Sequence, residues 1–217
     1  MIMGFRRAAL RLGCAALVGA ALMLPGPTWA VDGFVAGSPG LGDPFFPLAG
    51  NGGYDVSNYS LTLNYDPPTH RLVGSATISA TATQNLSRFD VDLRGFDVSR
   101  LAVNGRAATF TRDGQELMIS PQVGLRAGQQ FSVAVDYAGV PQIVTDPDGS
   151  IEGWVPTDDG AFVVGEPQGS PAWYPVNDNP RDKATFDFKV TVPDGLTVMA
   201  NGVLLSQTSA GGPGRQN

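Results

Sequence analysis

The sequence predicts an all-β protein built of twisted antiparallel sheets, a β-sandwich or saddle. Three observations carry this. Apolar and polar residues alternate in one short segment after another, the period of half-buried strands. Tight-turn dipeptides punctuate those segments: Asn104-Gly105, Asp113-Gly114 and Asn201-Gly202. Such pairs supply the positive φ angles that two-residue hairpins require. Past the N-terminal leader, no stretch repeats with the 3.6-residue period of an amphipathic helix.

The leader comes first. Arg6, Arg7 and Arg11 precede an apolar run from Leu12 to Leu24, and Thr28-Trp29-Ala30 follows Pro25-Gly26-Pro27. A basic start, a short apolar run and small residues at the exit make a secretory signal peptide. Residues 1–30 are therefore expected to be cleaved after Ala30, giving a secreted protein, extracellular or periplasmic. The run is short for a bilayer span, so no membrane anchor is expected. Cys14 stands at the front of the apolar run, whereas a lipid-attachment cysteine belongs at its end.

The formal charge of −6 becomes −9 once the three leader arginines are gone. So acidic a chain is not built for nucleic acid or anionic membrane. The one cysteine leaves with the leader, so stability must come from an apolar core rather than disulfides.

The elements then follow in order. Residues 31–52 are rich in Gly and Pro and read as an extended arm, with Phe45 and Phe46 as its pins. A β-domain is expected over 53–208. Tyr59, Leu61, Leu63 and Tyr65 share one parity, and Asp66-Pro67-Pro68 ends their strand. Leu72, Ala76, Ile78, Ala80 and Ala82 form the next strand, and Phe89, Val91 and Leu93 a third. Hairpins are expected at Asn104-Gly105 and Asp113-Gly114. Phe131, Val133, Val135 and Tyr137 give a further strand, as do Phe186, Phe188, Val190 and Val192. Asn201-Gly202 predicts a hairpin between Val198/Ala200 and Val203/Leu205. Between Tyr137 and Ala184 the rhythm breaks, and one strand is predicted there, Ala161 to Val164. Residues 209–217 read as a disordered tail.

Few side chains offer chemistry. Zinc needs three or four His, Cys or carboxylate ligands, and the sequence has one histidine, His70, in a turn. Asp146, Asp148 and Glu152 form a Gly-containing acidic turn too short for a calcium loop. No nucleophile elbow or phosphate-binding glycine loop is present. The segment 165–186 stands out instead. Loops this long inside a compact domain are usually functional. Pro167, Pro171, Pro175 and Pro180 stiffen it, and Trp173 and Tyr174 give it apolar anchors. Its Glu166 has two readings. It receives a cation, most simply an ammonium group, or else it caps its own loop's amides or pairs with Arg181.

This segment resembles a signature of the aminopeptidase N-type zinc metallopeptidases. Their pattern runs Glu-Pro, an aromatic-Pro, an Asp and a Pro, then Lys-Ala-Thr-Phe opening a strand. Here it reads Glu166-Pro167, Tyr174-Pro175, Asp178, Pro180 and Lys183-Ala184-Thr185-Phe186. Tyr59-Ser60-Leu61-Thr62-Leu63 and Val198-Met199-Ala200-Asn201-Gly202 add to the likeness, which covers about residues 50–210.

The resemblance implies an N-terminal β-domain in which Glu166 binds the free α-amino group of a peptide substrate. It implies that Pro167, Trp173, Tyr174, Asp178 and Arg181 brace the loop, Asp178 and Arg181 through hydrogen bonds and an ion pair. In this family a separate domain carries the zinc, the H-E-x-x-H helix and the G-x-M-E-N strand. None of these motifs lies in the sequence, so the chain is expected to lack the catalytic zinc domain, to hold no metal or cofactor itself, and to be inactive alone. The domain's partners would be peptide N-termini and that missing catalytic domain. The alternative is an independent secreted β-sandwich that serves as a binding module.

Overall fold

The protein is described by a computed structural model covering residues 33–47, 49–145, 148–166 and 168–208, and the backbone of 215–216. The predicted signal peptide lies outside the described residues, as does Pro167. So do Asp146 and most of the predicted tail.

Among the described residues fourteen strands run in chain order: β1 (Val35–Ala36), β2 (Tyr54–Asp66), β3 (Arg71–Ala82), β4 (Leu86–Asp92), β5 (Asp97–Val103), β6 (Arg106–Ala107), β7 (Thr109–Asp113), β8 (Glu116–Ser120), β9 (Gln130–Gly139), β10 (Ile143–Thr145), β11 (Ile151–Thr157), β12 (Gly160–Val164), β13 (Thr185–Pro193) and β14 (Arg215–Gln216). Two single 3₁₀ turns, Pro67–Thr69 and Ser170–Ala172, complete the regular structure. A large sheet has the order β14-β13-β2-β3-β9-β5-β6, a second β1-β4-β8-β7, and a third β10-β11-β12.

The predicted alternation builds the core. Tyr54, Val56, Tyr59, Leu61, Leu63 and Tyr65 of β2 are buried. The phase slips by one residue between Val56 and Tyr59, where a bulge at Ser57 shifts the pairing with β3. An inserted residue restores the inward face that a strict period of two would lose. Leu72, Ala76, Ile78 and Ala80 of β3 and Phe131, Val133, Val135 and Tyr137 of β9 continue this face. Phe89 and Val91 of β4 and Leu117 and Ile119 of β8 close over it. Phe89 meets Tyr54 edge-on at 5.6 Å and Phe131 at 5.2 Å, joining the large sheet to the second. Gly74 fits because a Cβ there would stand 2.2 Å from the Tyr137 ring. The Asn104-Gly105 hairpin forms as its sequence predicts, with φ of 51° and 74°.

Four expectations change. The sheets are mixed, because β13 runs parallel to β2 and β1 parallel to β4. The segment after Tyr137 holds a three-stranded antiparallel meander, β10-β11-β12, rather than one strand. Glu152, Gly153 and Pro156 dilute the alternation of β11 and hide it from periodicity. The arm is pinned by β1 and by the fully buried Asn51, while Phe45 is 86% exposed. No strands form around Asn201-Gly202, where Met199, Val203, Leu204 and Leu205 lie exposed. A two-stranded hairpin with no face to pack on is marginal in water.

Candidate functional site

The loop between β12 and β13 lies against the meander, and two glycines permit it. Gly169 has φ of 141°, and a Cβ there would stand 2.9 Å from both Gly153 N and Val164 O. Gly153, at φ 92°, would bring a Cβ within 2.9 Å of Ala172 Cβ. The Ser170–Ala172 turn then buries Pro171 and Ala172, and the Pro171 carbonyl accepts the Arg94 N–H at 2.7 Å.

Aromatic packing fixes the next stretch. Tyr174 is buried, edge-on to Tyr59 at 5.5 Å. Trp173 stacks near Phe188 at 6.3 Å and reaches Trp154 of β11 at 5.9 Å. The Tyr137 hydroxyl donates to the Trp173 carbonyl at 2.9 Å. The loop thus anchors on the large sheet and the meander together.

Beyond Tyr174 the anchors turn polar. Val176 and Asp92 exchange backbone hydrogen bonds at 2.8 and 3.0 Å. Asn177 donates its N–H to the Tyr59 hydroxyl at 2.9 Å. Its side chain binds both backbone groups of Asn51 and donates to Asp182. Asp182 in turn accepts the Val56 N–H at 2.9 Å. The Asp178 N–H donates to Asp92 Oδ2 at 3.1 Å, and its carboxylate accepts hydrogen bonds from Gly169 and Ser170. Asp178 therefore ties the two ends of the loop together.

Glu166 sits where β12 ends. Its N–H donates to Glu152 Oε1 at 3.0 Å, and Glu152 is 2% exposed. The backbone is held while the Glu166 carboxylate stands in solvent. Among the described residues, no ion pair joins Glu166 to Arg181. Arg181 is exposed, and its N–H caps Asn179 Oδ1 at 3.0 Å. Side-chain amides and carboxylates hold the described part of the loop.

Beneath the loop lies a feature that periodicity missed. Asp90, Asp92, Glu116 and Glu152 are all buried. Burial pushes Asp92 up to about 6, against hydrogen bonds that favour its charge. Burial, and then the charge of Asp92, push Glu116 up to about 8. The same two causes push Asp178 up to about 7. Alternation assigns Asp90 and Asp92 to a solvent face, but the loop and the arm cover that face.

The described residues do not fit zinc. They include no group of three or more His, Cys, Asp or Glu placed to hold a metal ion. His70 caps the Pro67–Thr69 turn, with Nδ1 3.4 Å from the Tyr65 hydroxyl.

An exposed acid thus stands on the rim of a mixed-sheet β-domain, at the start of a loop packed on the large sheet and the meander. The chain belongs to the Peptidase M1 N-terminal domain family, whose model matches residues 56–215. It is similar to the M1 zinc metallopeptidase from Deinococcus radiodurans, at 31% identity and a TM-score of 0.74 over 82% of this chain. A mutant of that enzyme bound to a Tyr-Ser-Ala substrate matches at 33% identity and a TM-score of 0.75. So does a two-domain M1 zinc metallopeptidase mutant bound to L-arginine. The chain spans 41% of the length of each of these structures.

Proposed function

We propose that this domain recognises the free α-amino group of a peptide through Glu166, within a secreted metalloaminopeptidase whose zinc is held by a part of the enzyme that this chain does not span. One observation carries the reading: Glu166 is open to solvent while its N–H is bonded to Glu152 and the loop from Gly169 to Asp182 is anchored. A charge held in place loses little freedom when it meets a cation. The M1 relatives solved with L-arginine and Tyr-Ser-Ala support it, since both ligands carry a free α-amino group. The basic and apolar leader supports export.

The chemistry divides accordingly. Enzymes supply about 8–23 kcal/mol of transition-state stabilisation, whereas one charge-assisted hydrogen bond contributes about 1.5–3 kcal/mol. Glu166 therefore selects and orients an N-terminus, and a bound zinc supplies the activated water. The zinc-bearing part would dock on the exposed apolar surface of Phe186, Phe188, Val198, Met199, Val203 and Leu204, which lines a groove of about 730 Å³.

The test is an NMR titration of the purified chain with leucinamide and with N-acetyl-leucinamide. The free amine should move the Gly165 and Glu166 amides with millimolar or weaker affinity, a binding free energy of at most about 4 kcal/mol in magnitude. The acetylated compound should not move them, and Glu166→Ala should abolish the response. Equal shifts with both compounds, or none with either up to roughly 0.1 M, would overturn the reading.

A further inference from the structure

The ladder between β4 and β8 sets Asp92 directly opposite Glu116. Residues so placed hold their Cβ atoms about 4.5–5.5 Å apart, and like charges there repel. Both side chains leave the face opposite to Phe89 and Leu117, and both are buried, at 0% and 8% exposure. Asn51 of the arm lies against the two carboxyls. Asp92 has donors of its own, Asp178 N–H at 3.1 Å and Gln115 Nε2 at 3.4 Å. Glu116 is less well served: Asn51 lies beside its carboxyl, but neither of its oxygens meets a donor in full hydrogen-bonding geometry among the described residues. Its contact with Asp92 becomes a hydrogen bond only when one of the two carboxyls carries a proton, and Glu116 is the one held higher.

The surroundings offer no rival counter-charge. Asp90 of β4 faces the pair, and its partner Arg88 is 3.7 Å away. Glu152 of β11 and Asp178 add negative charge from the meander and the loop. Tyr54 of β2 feels the charges of Asp90, Asp92 and Asp182. Arg94 donates to Gln115, and Arg112 to the carbonyls of Leu93 and Phe96. Among the described residues, no cation is ion-paired with Asp92, Glu116 or Asp178.

We propose that Glu116 is a positioning residue for the Glu166 loop: its proton, shared with Asp92, seats the loop, and loss of that proton loosens the loop without opening the sheets. The path is short. Asp92 holds the Asp178 N–H and exchanges backbone bonds with Val176, and Asp178 holds Gly169 and Ser170 beside Glu166. That the loop matters for peptide recognition rests on the function proposed above; the clamp itself does not. The direction follows from linkage. Carboxyls held above their ordinary range bind more protons folded than unfolded, so the clamp is strongest in acid and weakens as pH rises. Burial and its neighbours place the Glu116 transition near pH 8.

Hydrogen exchange on the intact chain, without ligand, tests this. Between about pH 5 and about pH 9, protection of the Val176 and Asp178 amides, corrected for intrinsic rates, should fall by about tenfold or more. Amides of β2 and β3 such as Leu61 and Ile78 should keep their protection. In Glu116→Gln the side-chain amide donates to Asp92 at every pH, so the part of the decline above about pH 7, where Asp92 and Asp178 are already ionised, should vanish. Flat protection in the native chain would overturn the proposal. So would a uniform loss across all sheets, or a Glu116→Gln variant that declines like the native chain. The readout involves no peptide, so failure here and failure of the Glu166–ammonium reading are distinguishable.

Discussion

The Asn177 side chain closes a ring of hydrogen bonds on Asn51, 126 residues earlier in the chain: its Oδ1 accepts the Asn51 N–H, and its Nδ2 donates to the Asn51 carbonyl at 3.2 Å. One amide thereby does for the arm what a strand would otherwise do. Asn177→Ala should leave the buried Asn51 N–H and C=O without partners. The expected cost is about 1–3 kcal/mol for each group that water does not rescue, read as a lower midpoint in denaturant unfolding. An unchanged midpoint would show that the arm is not held by this contact.

Asp178 gives a pH-dependent prediction of its own. Its carboxyl is pushed up to about 7 by burial and by the charge of Asp92. The folded chain therefore holds a proton there that the unfolded chain has released, and stability declines as pH rises from about 4 to 7. Asn at this position keeps an acceptor for Gly169 and Ser170 but never ionises. Asp178→Asn should unfold at a higher temperature than the native chain near pH 8, by about 1 kcal/mol or more. Near pH 4 the advantage should be gone.

Gly74 tests the packing between β3 and β9. A methyl group there would stand 2.2 Å from Tyr137 Cζ and 2.5 Å from its hydroxyl. Gly74→Ala should cost about 1–3 kcal/mol by overpacking, measured by thermal unfolding. Tyr137→Leu, itself destabilising, should remove most of the added penalty in the double variant. Simple additivity of the two changes would count against the steric account.

Glu166 should be separable from stability. Its side chain is exposed, and exposed positions away from special features change stability by about 0.5 kcal/mol at most. Glu166→Ala should melt with the native chain while losing the response to free amines. The chain alone, native or variant, should not turn over an aminoacyl arylamide. Turnover that a chelator abolishes would refute that expectation.

Much of the fold is legible in the sequence. Val133, Val135 and Tyr137 of β9 and Ala76, Ile78 and Ala80 of β3 alternate cleanly because one face of each strand is core and the other is not. The meander was not legible, because β11 contains Glu152, Gly153 and Pro156 for reasons local to the loop that covers it. The exposed apolar residues around Asn201-Gly202 show the reverse error. Their alternation looks like a hairpin, yet in the described structure nothing lies there to bury it. Glu166 and its braces stand in one sequence motif and are easily singled out. Asp92 and Glu116 do not announce themselves. On the page they look like the polar half of two ordinary strands, and only the folded arm and loop convert that face into an interior.

The parallel pairing of β13 with β2 joins parts of the chain that are far apart in sequence. Thr185 reaches Asn58 across 127 residues, and such distant pairings close late because the intervening chain must first be organised. The Glu166 loop hangs between β12 and that distantly paired strand. Until β13 has docked, the acid hangs on a slack tether, and the place it takes depends on a contact made far away in the sequence.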